Sequence, residues 1–188
     1  MPTITVPDAD SMAAVPADPS PRGFAWWRVL EDGTLESYPD VAWVPGWNSA
    51  SCGLYPRFFR ARWRRLHPAG VPGSFCLCGF HGSNLPQPAG PGPRMAARIH
   101  SGRDQMVFGS IEAAGQIVRD RRGFRAGAAR PLALYVAAEH LSDANGGGDR
   151  ISRAAARYGL PLLRSFDAFV DLWGPARDAD VTSCSRTA

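Results

Sequence analysis

The alternation of apolar and polar residues predicts several short strands in the first half of the chain. Residues 24–30 are rich in aromatic and β-branched side chains, and an Asp-Gly turn separates them from a second such run at 35–38. This arrangement is typical of a β-hairpin. Residues 41–44 predict a further short strand, and residues 75–80 predict another one after a basic segment.

The longest strand signal covers residues 105–119. Apolar residues and glycines alternate on one face, whereas Ser110, Glu112 and Gln116 fall on the other. Glycines on the inner face of a strand indicate a bulge or the close approach of another backbone. After a turn, residues 131–136 predict a returning strand that is almost entirely apolar.

Two apolar stripes at helical spacing predict short helices near the end of the chain. The first helix is capped by Asp149 and ends at Gly159, and the second begins after Ser165 and ends at Gly174. The whole pattern predicts an α+β fold. It consists of a single β-rich domain over residues 23–174, a small curved sheet or partly open barrel with short C-terminal helices. The stripes consist of Ile151, Ala154, Ala155 and Tyr158, and of Phe166, Phe169, Val170 and Trp173.

The two ends of the chain lack such a pattern. Residues 1–22 are rich in proline and aspartate and predict a disordered tail, and residues 175–188 predict a flexible one. The N-terminal segment has no apolar region of the kind found in signal peptides. No stretch reaches the roughly 18 apolar residues of a membrane span. We therefore expect a cytoplasmic protein without a membrane partner.

The basic residues are all arginines, 21 in number, and the formal net charge is +4. An arginine-only composition is typical of a GC-rich genome, and so mild an excess of positive charge does not require a nucleic-acid partner. Local clusters of charge are therefore more informative than the total.

Three of the four cysteines lie close to a histidine in the sequence. If residues 75–80 form a strand, Cys76 and Cys78 project from the same face. With Cys52 and His67 they predict a Cys3His set that binds one structural zinc ion in tetrahedral geometry. In the cytoplasm, cysteines favour metal binding over disulfides. Two alternatives stay open: His81 could replace His67, and the cysteines could be small buried apolar side chains.

Two forms of redox or hydrolytic chemistry fit the same residues less well. Cys78 and His81 match half of a Rieske iron–sulfur motif, but the second Cys/His pair is missing. A cysteine hydrolase could use Cys78 with His67 or His81, yet no nucleophile elbow or oxyanion loop accompanies them. We therefore predict no catalytic residues and favour a non-enzymatic protein, with a cysteine- or metal-dependent enzyme as an alternative.

The segment 57–65 interleaves arginines with aromatic residues. Arginines bind phosphate, and both residue types stack on unpaired bases. The segment therefore predicts a nucleic-acid-binding loop for DNA or RNA. The alternative is that its aromatic side chains enter the core and its arginines are solvated. The predicted binding residues are Arg57, Arg60, Arg62, Trp63, Arg64 and Arg65, and a second basic group comprises Arg119, Arg121, Arg122, Arg125 and Arg130.

Four tryptophans suggest a different class of function. Trp26, Trp27, Trp43 and Trp47 could act as apolar anchors for a protein partner. A protein-interaction adaptor is therefore the alternative to nucleic-acid binding.

The motifs together resemble those of a bacterial, mainly actinobacterial, family with no known activity. The resemblance implies that Cys52, His67, Cys76 and Cys78 form one unit, and it implies no reaction. Relatives usually carry Leu-Trp-Gly where this chain has Ala113, Ala114 and Gly115. The other matching residues are Trp26, Trp27, Arg28, Val29, Trp43, Pro68, Ala69, Leu77, Gly79, Gln116, Ile117, Val118, Gly123, Phe124, Arg125, Ala126, Ala129, Arg130, Pro131 and Arg157 to Pro161.

Overall fold

A computed structural model describes residues 20–37, 41–52, 67, 70–73, 76, 78–86, 105–137 and 147–175. These residues form one β-sheet and two short helices, which confirms the predicted β-rich α+β fold. In chain order the elements are β1 (Arg22–Val29), β2 (Leu35–Ser37), β3 (Val41–Ala42), β4 (Asn48–Ser49), β5 (Phe80–Ser83), β6 (Gln105–Asp120), β7 (Gly123–Tyr135), α1 (Gly147–Tyr158), β8 (Leu162–Leu163) and α2 (Phe166–Trp173).

The first two strands form the predicted hairpin. Strands β1 and β2 pair antiparallel with Val29 opposite Leu35. In the connecting turn, Gly33 has a φ of 80°, a left-handed conformation that glycine adopts without strain. The Leu30 N–H donates to the Thr34 carbonyl at 2.9 Å and closes the turn. Strand β3 then pairs with β2, as its short apolar run predicts.

The long hairpin of β6 and β7 is the largest element. The two strands pair from Phe108 opposite Tyr135 to Asp120 opposite Gly123. The register shifts between Ala114 and Ile117, where Gly115 has a φ of 73°. This confirms the bulge that the glycines predict. Strand β7 begins well before the predicted residue 131, because small residues after the turn continue the ladder.

The strand pairings close into a ring. Strand β6 pairs with β1 on one side and β7 on the other. Strand β5 pairs with β7 and also meets β1, where Phe24 lies opposite Ser83. Strand β8 adds to β7 in parallel, with Leu134 opposite Leu162. Residues 75 and 77 of the predicted strand 75–80 lie outside the described residues. The described residues 76, 78 and 79 are not in a strand, and β5 begins at Phe80, so the predicted strand is displaced.

The helices follow the predicted apolar stripes. Ile151, Ala154, Ala155 and Tyr158 of α1 are all buried. Gly159, with a φ of 63°, ends α1, and the Leu160 N–H donates to the Ala155 carbonyl at 2.9 Å. The predicted cap at Asp149 is wrong: α1 begins at Gly147, so Asp149 lies in the first helical turn. There its charge still favours the helix N-terminus. The Ser165 hydroxyl caps α2 by accepting from the Ala168 N–H at 3.3 Å.

Apolar side chains cover both faces of the sheet. Strand β1 contributes Trp27 to the larger core, which α1 closes. On the opposite face, Phe24 and Phe108 pack against Phe169 of α2 in a smaller aromatic cluster. The sequence places Ser110 on the polar face of its strand, yet this residue is fully buried. Its hydroxyl donates to the Trp173 carbonyl, because α2 covers that face.

The predicted tails lie almost entirely outside the described residues, which begin at residue 20 and end at residue 175. Within the described part of the chain, neither helix is long and apolar enough to cross a membrane.

The Tyr158 hydroxyl joins α1 to the first strands and supplies a test of the core. It donates to the Trp43 carbonyl at 2.6 Å and accepts from the Leu35 N–H at 3.1 Å, in a buried site. We expect Tyr158→Phe to lower the free energy of unfolding by about 1–3 kcal/mol, because two buried backbone groups lose their partner. Chemical denaturation of both proteins measures this loss.

Tyr135→Phe is the control for that experiment. The Tyr135 ring packs against Phe169, but its hydroxyl makes no hydrogen bond with any of the described residues. This substitution should change stability by less than Tyr158→Phe does. Equal losses in the two variants would contradict the bridging role of Tyr158.

Candidate metal centre

Four side chains that the sequence singles out converge at one point beside the sheet. The thiols of Cys52, Cys76 and Cys78 and a ring nitrogen of His67 all lie within 4.8 Å of one another. Cys52 Sγ lies 3.6 Å from Cys76 Sγ, and His67 Nε2 lies 3.1 Å from Cys78 Sγ. In a tetrahedral zinc site with Zn–S bonds of about 2.3 Å, sulfur atoms lie about 3.8 Å apart. The cluster can therefore hold a metal ion.

Cys52 is placed by the backbone that leads to it. Asn48 of β4 is buried, and its side chain accepts from the Val44 N–H at 2.8 Å and donates to the Val44 and Gly46 carbonyls. Strand β4 pairs with β7, and the Ala50 N–H donates to the Gly127 carbonyl at 2.7 Å. Cys52 follows two residues later and is half-buried.

Cys76 and Cys78 lie in a turn that precedes β5. The Cys76 N–H donates to the Gly73 carbonyl at 3.1 Å. Gly79 has a φ of 108°, and a Cβ there would come within 3.0 Å of the Ala126 carbonyl. Because the chain turns at these glycines, the two cysteines converge through a loop. The expectation that they project from one face of a strand is wrong, although their thiols do meet.

His67 is the histidine of the cluster. Its side chain is only 2% exposed, and the Gly70 N–H donates to its carbonyl at 3.2 Å. His81 is exposed on β5, opposite Arg125 in the register, and does not belong to the group of four. The geometry therefore favours His67 over His81 as the fourth ligand.

Cys76 and Cys78 do not lose their protons with equal ease. Burial raises the pKa of Cys76, but hydrogen bonds from the Cys78 backbone N–H and from the side chains of Cys78, Cys52 and His67 outweigh it and lower this pKa to about 7. Burial raises the pKa of Cys78 to about 11, and the neighbouring thiolates add to this. One thiolate therefore forms near neutral pH. A full set of thiolates requires an added positive charge, which a bound metal ion supplies.

Arg125 of β7 is a residue of the site that sequence reasoning missed. Its guanidinium is buried, and Nη1 donates to the carbonyls of Gly73, Cys76 and Cys78. The distances to Gly73 and Cys78 are 3.2 and 3.5 Å. The sequence groups Arg125 with other arginines near the turn, and only its position between buried Phe124 and Ala126 distinguishes it.

The other four arginines of the second basic group, which the sequence places around the β6–β7 turn, differ in their surroundings. Arg130 forms an ion pair with Glu112 and lies over the Trp47 ring at 5.0 Å. Arg119, Arg121 and Arg122 are exposed at the β6–β7 turn. The predicted nucleic-acid-binding residues Arg57, Arg60, Arg62, Trp63, Arg64 and Arg65 lie outside the described residues.

Two of the four proposed tryptophan anchors belong to the core. Trp27 and Trp43 are 0% and 3% exposed and pack edge to face with centroids 5.4 Å apart. Trp26 packs on Phe108, and Trp47 lies under Arg130. A protein-binding surface based on all four tryptophans is therefore not formed.

Comparisons with family models, curated proteins and solved structures found no match for this chain. The resemblance to a bacterial family therefore stays a prediction.

The pKa of Cys76 leads to a test on metal-free protein. In a Cys184→Ser background, thiolate absorbance in the ultraviolet should show Cys76 ionising near pH 7 and Cys78 only near pH 11, because hydrogen bonds stabilise the Cys76 thiolate and burial disfavours that of Cys78. Cys76→Ser should remove the step near pH 7. Persistence of that step in the Cys76→Ser protein would assign it to another group.

Proposed function

We propose that the protein is a non-enzymatic module in which one zinc ion is bound by Cys52, His67, Cys76 and Cys78. The supporting observation is the convergence of three sulfur atoms and one nitrogen atom within 4.8 Å. Thiolate and imidazole ligands in this number are typical of structural zinc sites. Four protein ligands complete a tetrahedral shell, so such a site stabilises a fold and does not activate water.

The four proposed ligands come from separate segments of the chain, and this gives the metal a structural task. Cys52 reaches the site from β4, whereas Cys76 and Cys78 reach it from the turn before β5. No disulfide links the three described cysteines. A zinc ion would therefore join two separate loops to each other and to the adjoining strand β7.

The same zinc ion would also close the segment that carries the arginines. Cys52 and His67 flank residues 53–66, so both ends of this segment would be bound to one metal ion. Closing a loop in this way lowers its conformational entropy before it binds a partner. We propose that this segment binds DNA or RNA through Arg57, Arg60, Arg62, Trp63, Arg64 and Arg65.

A second basic surface on the described residues supports a nucleic-acid partner. Exposed Arg122, in the turn just before β7, precedes Arg125 by three residues, which corresponds to about 10 Å along an extended chain. Arg125 in turn contacts the Cys76–Cys78 loop. The arginines of the β6–β7 turn therefore lie at the same end of β7 as the proposed zinc site, where both basic groups could contact one polyanion.

The metal is tested by elemental analysis of protein purified under reducing conditions. We expect one zinc ion per chain and its loss in Cys78→Ser. A chelator should lower the melting temperature by about 5–10 °C, the equivalent of losing a ligand present at about 100 times its Kd.

Cys184→Ser is the matched control, because Cys184 is not one of the four ligands. It should retain the zinc ion and the chelator effect. Zinc-free protein whose melting is unchanged by chelator would exclude the proposed metal.

The nucleic-acid partner is tested by fluorescence anisotropy with labelled single-stranded DNA and RNA. Binding should weaken as salt rises, because arginine contacts release counterions from phosphates. Replacing Arg57, Arg60, Arg62, Arg64 and Arg65 by glutamine should weaken binding at least about tenfold. It should also lower the slope of log K against log salt by about 0.7 for each lost contact.

A matched pair of triple variants locates the second surface. Glutamine at Arg119, Arg121 and Arg122 should weaken binding, whereas glutamine at Arg150, Arg153 and Arg157 of α1 should not. Both triple variants remove three positive charges. If they weakened nucleic-acid binding equally, the loss would reflect net charge and not a binding surface at the β6–β7 turn. Unchanged binding after replacement of the five arginines of the 57–65 segment would exclude that segment as the binding site.

A further inference from the structure

The buried guanidinium of Arg125 lies against the loop that supplies two of the four proposed ligands. Arg125 is only 9% exposed, and its Nη1 donates to three carbonyls, two of which belong to Cys76 and Cys78. Among the described residues it has no acidic partner within ion-pair distance. A buried charge without a counter-charge is strongly destabilising, so its presence here requires an explanation.

The alternation of side chains along β7 determines which way Arg125 points. Phe124 and Ala126 belong to the larger core, so Arg125 between them faces the opposite side of the strand. On that side, a Cβ at Gly127 would come within 2.4 Å of the Val71 carbonyl. Val71 therefore lies on this side of β7, as do Gly73, Cys76 and Cys78, whose carbonyls accept from Arg125.

The proposed zinc site carries the charge that Arg125 lacks. Three thiolates hold one negative charge more than a divalent ion can neutralise, and the imidazole of His67 is neutral when it binds a metal. Within a poorly solvated loop, an excess negative charge and a buried guanidinium stabilise each other. Hydrogen bonds from Arg125 to the Cys76 and Cys78 carbonyls also fix the loop that orients both thiols.

We propose that Arg125 is a positioning residue of the zinc site, which holds the Cys76–Cys78 loop and compensates the charge of three bound thiolates. This inference rests on the proposed zinc site. Residues beyond the ligands commonly act in this way: they orient the ligands and tune the affinity for the metal.

The test compares zinc affinities by competition with a chromophoric chelator. Arg125→Met should weaken zinc binding on the order of 10- to 100-fold relative to wild type. Arg125→Lys keeps the charge but has fewer donors in a different geometry, so it should recover part of that loss. Arg125→Gln keeps a donor without the charge and provides a second neutral variant should Arg125→Met fail to fold.

Cobalt substitution supplies a signal that a purely structural role would not change. With the charge of Arg125 removed, the cobalt-loaded protein should show weaker sulfur-to-cobalt charge-transfer absorption per ion, because fewer thiolates bind together. Arg125→Lys should retain the wild-type spectrum.

Arg130→Met is the control, since Arg130 also lies on β7 but pairs with Glu112. It should leave both zinc affinity and the cobalt spectrum unchanged. If Arg125→Met and Arg125→Gln kept the zinc affinity and the cobalt spectrum of the wild-type protein, the proposed role of Arg125 would be wrong and the proposed zinc site would still stand. If Arg125→Lys bound zinc no more tightly than Arg125→Met and Arg125→Gln, the proposed charge compensation would be wrong. Wild-type protein that binds no zinc would overturn the site itself and this inference with it.

Discussion

The pairing of β6 with β7 is the interaction on which the other elements depend. Strand β1 adds to β6, whereas β4, β5 and β8 add to β7, so the partners of the long hairpin make up most of the sheet. The bulge at Gly115 lets the hairpin bend, and β5 can then reach both β7 and β1. Because the pairing closes on itself, several strand edges that would otherwise be open are satisfied by backbone hydrogen bonds.

Strand β7 also separates the core from the candidate metal centre. Phe124 and Ala126 enter the core, and Arg125 and Gly127 face the loop that carries Cys76 and Cys78. Because side chains alternate along a strand, the apolar core and the Cys/His cluster lie on opposite sides of β7. The segment that carries Cys52 reaches this strand too, through the hydrogen bond between Ala50 and Gly127.

The cluster differs physically from the rest of the protein. Elsewhere the described elements are held by apolar packing and by the aromatic contacts around Trp27 and Phe169. Cys52, His67, Cys76 and Cys78 lie outside the described helices and strands, and the buried guanidinium of Arg125 on β7 donates to the carbonyls of Cys76 and Cys78. The cluster therefore combines burial with polar contacts, and its four side chains could hold a metal ion.

The local patterns of the sequence determined the hairpin, the long strand, the bulge and the two helical stripes, because each depends on neighbouring residues. They also identified Cys52, His67, Cys76 and Cys78 as a group, because cysteines are few and their clustering is visible without a fold. Tertiary structure decided the rest. Ser110 is buried because α2 covers it. Cys76 and Cys78 converge through a turn next to Gly79, and not through a strand. Arg125 became part of the site because the strand register brings it under the loop, a contact between residues far apart in sequence that no local pattern encodes.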